Sequence, residues 1–185
     1  MMYLEVAVYI VLLLILLVVL VFVLMWEWSL LFTHAPFIPI PKEVVPSIFD
    51  ALELRPDSVV YDLGCGEGRV LLGCWEKMQQ AKYVGIEKSR FAYWLACING
   101  RRQKASVQFK KKNFFRTDLS DATHVFTYLF PGLMDMLLPK LQKDLKPGTK
   151  LVSCDFRFKN KEPIQVIDLK RAPKELGQKL YVYEF

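Results

Sequence analysis

Hydrophobic positions along this chain follow three distinct patterns. From Val6 to Trp26 the run VAVYIVLLLILLVVLVFVLMW is apolar throughout, with no charge, proline or glycine. At 1.5 Å per residue such a helix reaches about 31 Å, the thickness of a bilayer core. It has no polar face, which a helix packed on a soluble core would keep. A cleaved signal peptide needs a basic leader, a shorter apolar run and a small-residue cleavage site. None of these is present. Trp26 and Trp28 at the far end suit the headgroup belt. The pattern predicts a transmembrane anchor over residues 1–28.

The second pattern is a proline-rich stretch, THAPFIPIPKEVVP, with four prolines from Pro36 to Pro46. Prolines at this spacing make a semi-rigid extended spacer. Residues 29–41 are therefore expected to form a linker, with Phe37 and Ile40 as an apolar lid. Pro41 suits the first turn of a helix running to about Leu54, its apolar side formed by Val44, Val45, Ile48, Phe49 and Leu52. Pro46 fits only if it too lies in the first turn.

The third pattern fills residues 42–185, where short apolar runs alternate with helical spacing. Ser58–Asp62 reads as a buried strand and Arg69–Gln80 as a helix with Val70, Leu71, Cys74, Trp75 and Met78 on one face. KYVGIE (Lys82–Glu87) is a second strand, and Ser89 is placed to cap a helix through RFAYWLACINGRR. SVQFKK, THVFTYLF and TKLVSCDF supply three more strands, with a helix over Pro131–Leu145 ahead of the last. PIQVIDLKR and QKLYVYEF read as a closing antiparallel pair. Strands alternating with helices predict an α/β domain, a Rossmann-like seven-stranded sheet with helices on both faces.

Charge sets an orientation. No Lys or Arg occurs in residues 1–41, and all 25 lie beyond the span. The positive-inside rule then predicts an amino terminus outside and a cytoplasmic body, or a matrix-facing one in a mitochondrion. Set against 17 Asp and Glu once Glu5 and Glu27 are excluded, the body carries about +8. Basic clusters at Arg101, Arg102, Lys104 and Lys110–Lys112 raise nucleic acid as a partner. The anchor confines the chain to a bilayer, so anionic lipid or plain solvation is preferred and nucleic acid is not expected. Cys65, Cys74, Cys97 and Cys154 form no C-x-x-C pair, and neither His34 nor His124 stands at metal spacing. The thiols are expected to be reduced and no metal site is expected.

The chemistry concentrates in VYDLGCGEGRV, Val60 to Val70. It closes the first strand and opens the next helix, the position where open α/β sheets bind ligands. Glycines there accept positive φ and let a ligand approach the backbone. The spacing is G-x-G-x-G, with Asp62 two residues ahead of Gly64. A dinucleotide fingerprint is G-x-G-x-x-G. An acid in that loop would repel a pyrophosphate and suits a ligand bearing an ammonium group.

An acid followed by G-x-G-x-G resembles the first motif of the class I S-adenosylmethionine-dependent methyltransferases. The resemblance implies S-adenosyl-L-methionine as cofactor. It places Asp62 near the methionine amino group, and Gly64, Cys65, Gly66 and Gly68 under the methionine and ribose. Glu87 ends the second strand 23 residues after Gly64, where the family places an acid on both ribose hydroxyls. Asn113 stands where an acid is usual beside the adenine, and Phe114 follows it. PFIPIPKEVV, TDLSDATHVFTYLFPGL and LKPGTKLVSCDF narrow the resemblance to the small membrane-anchored lysine methyltransferases. Their eukaryotic members modify mitochondrial inner-membrane proteins, including the ATP synthase c subunit. Ile40 departs from the Thr often found in that proline-rich segment.

An incoming lysine must reach the donor neutral and in line, since its reference pKa is near 10.4. TYLFPGL ends the fourth strand, where the family places acceptor-binding residues. Tyr128, Phe130 and Pro131 are the candidates for that wall, with Tyr128 to accept a proton or hold the amine. Asp155, after the fifth strand, is a candidate to attract the ammonium. The expected acceptor is lysine of a membrane protein. An apolar small molecule such as a lipid or quinone, or a scaffold that binds cofactor without transfer, are the alternatives. A dehydrogenase is the weakest.

Overall fold

A computed structural model describes residues 2–32 and 38–185, with side chains described for residues 5–25 and 38–185. Trp26, Trp28 and Phe37 therefore lie outside the side chains described. The chain divides into two units, Met1–Pro36 and Phe37–Phe185. The first contains one helix, α1 (Met2–Phe32). Within it Glu5–Met25 forms a span of 21 residues, long and apolar enough to cross a membrane, with none of its side chains buried.

The second unit is a seven-stranded sheet in the order β3-β2-β1-β4-β5-β7-β6. The strands are β1 (Val59–Leu63), β2 (Lys82–Glu87), β3 (Val107–Lys111), β4 (His124–Thr127), β5 (Lys150–Cys154), β6 (Gln165–Asp168) and β7 (Lys179–Glu184). The first five are parallel, and β7 runs antiparallel to both β5 and β6. The closing antiparallel pair expected from the sequence is thus present. The helices are α2 (Val45–Leu52), α3 (Arg69–Lys77), α4 (Arg90–Arg102) and α5 (Pro131–Asp144).

Two apolar layers sandwich the sheet. Val60, Tyr83, Phe126 and Val152 point to one side, where Ile48 and Leu52 of α2 and Leu71 and Cys74 of α3 cover them. Tyr61, Ile86, Val125 and Leu151 point to the other, against Met134, Leu137 and Leu141 of α5. Successive strand residues alternate between these layers, so the central strands read as continuous apolar runs.

Several boundaries differ from expectation for local reasons. The helix expected from Pro41 opens as a 3₁₀ turn, Lys42–Val44, before α2 begins. Pro46 lies in the first turn of α2, where its missing N–H costs no hydrogen bond. β4 stops at Thr127 and does not run through Phe130. Phe130 precedes Pro131, which holds it extended, with φ −57° and ψ 152°. Ile40, expected as part of an apolar lid, is buried at 6% exposure in the layer under α2.

Chain order places the switch point. From β1 the chain steps outward to β2 and β3, then returns to the other side of β1 as β4. Leu63 lies beside both Ile86 of β2 and Thr127 of β4, so the loops after these strands open at one level. That crevice is where such sheets hold ligands.

Candidate active site

The loop after β1 is built by its glycines. Gly64, Gly66 and Gly68 all have positive φ, at 85°, 55° and 82°. A side chain would strain each position. The loop doubles back on itself and on β2. Gly64 N and Cys65 N both donate to the Ile86 carbonyl, at 2.8 and 3.1 Å, and Gly68 N donates to Cys65 O at 2.8 Å. Gly66 N donates to Glu87 Oε2 at 2.9 Å. Four amides are thus committed within the protein. A phosphate cradle would aim such amides at the ligand. This loop presents acids instead.

Asp62 is the first of these acids. It lies near the end of β1 at 3% exposure, and among the described residues its carboxylate has no hydrogen-bond donor. Burial pushes its carboxyl well above the ordinary range, and the nearby Glu87 charge adds to this. Among the described residues no cation stands beside this carboxylate, so a cationic ligand would find it uncompensated. Glu87 is more engaged. Its two oxygens each accept a backbone bond, from Gly66 N and, at 2.7 Å, from Ser89 N. Each carboxylate oxygen keeps a second acceptor site.

The remaining cofactor candidates are distributed as follows. The Cys65 thiol packs down onto Gly85, where an added Cβ would lie 2.7 Å from its sulfur. Burial, then the charges of Asp62 and Glu87, hold that thiol well above its usual range. Asn113 caps a 3₁₀ turn, Phe114–Arg116, its Oδ1 accepting from Phe115 N at 3.0 Å. Phe114 and Phe115 form a tilted pair with centroids 4.7 Å apart. Asp118 is exposed and caps its own turn through Ser120 N at 2.9 Å.

Past β4 and β5 stands an aromatic wall. Tyr128 stacks on Phe156, centroids 5.9 Å apart at 24°, and Phe130 tilts against Phe156 at 5.6 Å. Pro131 starts α5 beside them and is exposed. Leu129 turns inward and touches Gly64, 3.1 Å from where a Cβ would stand. The wall and the glycine loop are therefore adjoining surfaces of one crevice. Burial and the Asp155 charge raise the Tyr128 phenol, so it is neutral at ordinary pH.

Asp155 has a duty that the sequence did not reveal. Its carboxylate accepts from Gly177 N at 2.7 Å, Gln178 N at 2.6 Å and Lys179 N at 3.2 Å. It holds the turn into β7 and itself adopts φ 60°. Three other residues were also missed. Phe156 was readable as an aromatic just past a strand end. Arg69 donates to the Ile40 carbonyl at 2.6 Å and pairs with Glu67, pinning the proline-rich segment to the glycine loop. Asn99 donates to Glu67 O at 3.1 Å and braces the loop from α4. Neither polar tie has a signature in sequence spacing.

With this geometry in hand, comparison with known proteins is informative. Residues 62–165, from Asp62 to the start of β6, match the family model described as the ANTKMT methyltransferase domain. The chain belongs to that family. A protein-lysine N-methyltransferase of Saccharolobus islandicus is 37% identical over 81% of this chain and 93% of its own length. The human ATP synthase c-subunit lysine N-methyltransferase is 26% identical over 71% of this chain, which spans 56% of that protein. A crystal structure of an RNA methyltransferase from Salinibacter ruber with S-adenosyl-L-homocysteine superposes with TM-score 0.73 at 32% identity, covering 80% of this chain and 93% of that one.

As a member of the ANTKMT family the chain is an S-adenosylmethionine-dependent methyltransferase of protein-lysine methyltransferase kin. The resemblance drawn from VYDLGCGEGRV and its flanking segments is borne out. The crevice also fits the cofactor on physical grounds. Among the described residues the buried Asp62 carboxylate accepts no hydrogen bond, which fits an ammonium, and the N–H groups of Gly64, Cys65, Gly66 and Gly68 are spent within the protein.

Proposed function

We propose that this protein is a membrane-anchored methyltransferase that N-methylates lysine of a membrane-associated protein. The supporting observation is a methyl-transfer crevice in a chain that also carries the 21-residue apolar span Glu5–Met25. Residues 1–28 serve as anchor, residues 29–41 as linker and residues 42–185 as catalytic domain, cytoplasmic or matrix-facing by charge. Tethering raises the local concentration of acceptors in the same bilayer.

In this reading Asp62 holds the methionine ammonium, and the Gly64–Gly68 loop lies under the methionine and ribose. Glu87 accepts the ribose hydroxyls through its free acceptor sites. Asn113 and Phe114 border the adenine. When bound, S-adenosylmethionine supplies an electrophilic methyl carbon on a sulfonium.

The protein then aligns the amine and excludes water. Tyr128, Phe130, Pro131 and Phe156 form the acceptor wall. Tyr128 holds the incoming amine as a neutral phenol and does not act as a tyrosinate base. The amine gives its proton to water before alignment. The wall would hold the amine lone pair in line with the methyl carbon that the bound cofactor would supply, sulfur keeping the C–S electron pair. Asp155 acts through Tyr128 and through the β7 turn.

Membranes lacking the protein, incubated with full-length enzyme and labelled cofactor, test this. Label is expected on lysine of membrane-protein bands. Label confined to lipid or quinone extracts supports a small-molecule acceptor and overturns the proposal. Label confined to RNA does the same.

A further inference from the structure

A groove apart from the methyl-transfer crevice lies elsewhere on the second unit. It is a groove of about 480 Å³ on the outer side of α3, between the start of α2 and the end of α4. Val45, Pro46 and Leu72 contribute apolar surface to its lining. Its rim is basic. Lys42 stands on one edge and Lys77 on another, both exposed. Lys77 is held there by the Phe49 ring, 4.8 Å from its ammonium to the centroid. Gln103 closes the third edge, and Arg101, Arg102 and Lys104 flank it, all exposed. Two acids also line the groove. Glu67 is paired with Arg69, which leaves Glu76 as the opposing charge.

We propose that this groove seats the phosphate headgroup of an anionic phospholipid, and so fixes the catalytic domain against its own bilayer. The inference rests on the membrane-anchor reading above. The covalent chain supplies the proximity, since nine residues separate Phe32 at the end of α1 from Lys42. Even fully extended, that stretch spans only about 35 Å. Apolar side chains beside two exposed lysines match a lipid, which brings acylglycerol as well as phosphate. It matches a free phosphate less well. Each cation near an anionic surface strengthens binding by about fivefold.

Amide hydrogen exchange of the full-length protein in nanodiscs tests this. Discs of phosphatidylcholine alone are compared with discs containing phosphatidylglycerol. Exchange over residues 42–46 and 99–104 is expected to slow only with phosphatidylglycerol. The K42Q/K77Q variant should lose about fivefold of that protection per cation, with cofactor affinity unchanged. Glu76→Gln should gain protection, which gives a second reading should the double variant fail to fold. Equal exchange in both lipids overturns the inference. So does equal protection in phosphatidylcholine discs by inorganic phosphate or by an RNA oligonucleotide. A chain that fails to insert into either disc sinks the anchor reading itself, whereas insertion without protection sinks only the headgroup site.

Discussion

Glu87 and Gly66 form one mechanical unit: the carboxylate at the end of β2 accepts the N–H in the middle of the glycine loop at 2.9 Å. The residue expected to bind ribose therefore also shapes the loop beneath it. Hydrogen bonds to a charged acceptor are worth about 1.5–3 kcal/mol each. Glu87→Gln removes the charge and one acceptor oxygen. Its affinity for S-adenosylmethionine, by titration calorimetry, is expected to fall roughly 10- to 100-fold. A folded variant with wild-type affinity would remove Glu87 from the site.

The proposed contact of Asp62 with the methionine ammonium predicts pH-dependent cofactor binding. Its carboxyl is raised by burial and by Glu87. The folded, cofactor-free protein therefore holds a proton that the unfolded chain has released. Stability contributed by this group is present below the unfolded pKa and is lost as pH rises through the raised folded value. An ammonium beside Asp62 favours the charged form, so cofactor binding expels that proton. Affinity should rise with pH across this window, and binding heats should depend on buffer ionisation enthalpy. Asp62→Asn should flatten both while raising the melting temperature of the cofactor-free protein. A pH-independent wild type counts against the assignment.

Gly85 is a strand glycine with a neighbour on either side. An added Cβ would lie 2.7 Å from Cys65 Sγ and 2.8 Å from Phe109 Cδ1. Gly85→Ala should destabilise the protein by about 1–3 kcal/mol in urea unfolding. Phe109→Leu added to it should recover part of this loss, because the ring is one of the three groups in the way, with Cys65 Sγ and Leu71 Cδ1. No recovery would mean that the Cys65 contact dominates.

Asp155 is expected to show its weight in stability. Three backbone N–H groups converge on its carboxylate. Asp155→Ala should lower unfolding free energy by about 3 kcal/mol. Its melting curve should drop before any change in cofactor affinity appears. A variant of native stability with no activity would return Asp155 to a direct role in handling the ammonium.

Tyr128 separates wall from hydroxyl. Tyr128→Phe keeps the ring on Phe156 but removes the group proposed to hold the amine. A loss of about tenfold in kcat is expected, with the KM for S-adenosylmethionine unchanged, since one hydrogen bond is worth about 1 kcal/mol. Phe156→Leu should instead raise the KM for the acceptor. If both variants change the cofactor KM alone, the wall belongs to the cofactor.

Local pattern was enough for the fold and for the class of methyl donor. A 21-residue apolar helix, alternating strands and helices, and Asp62 ahead of G-x-G-x-G are all covalent facts of short range. Each is set by periodicity, by side-chain size or by the φ that only glycine accepts readily. What the tertiary structure decided was which distant groups meet. Pairing Leu63 with Ile86 carries the loop amides to the Ile86 carbonyl and brings Glu87 to Gly66. The return of the chain to β4 puts Leu129 against Gly64 and sets Tyr128 beside Phe156. Asp155 changed meaning most. In sequence it was an acid at a strand end, free to meet a substrate. In the fold its carboxylate faces the amides of Gly177 to Lys179, 22 or more residues on. No local rule carries that information, because those donors reach Asp155 only when β7 folds back antiparallel to β5.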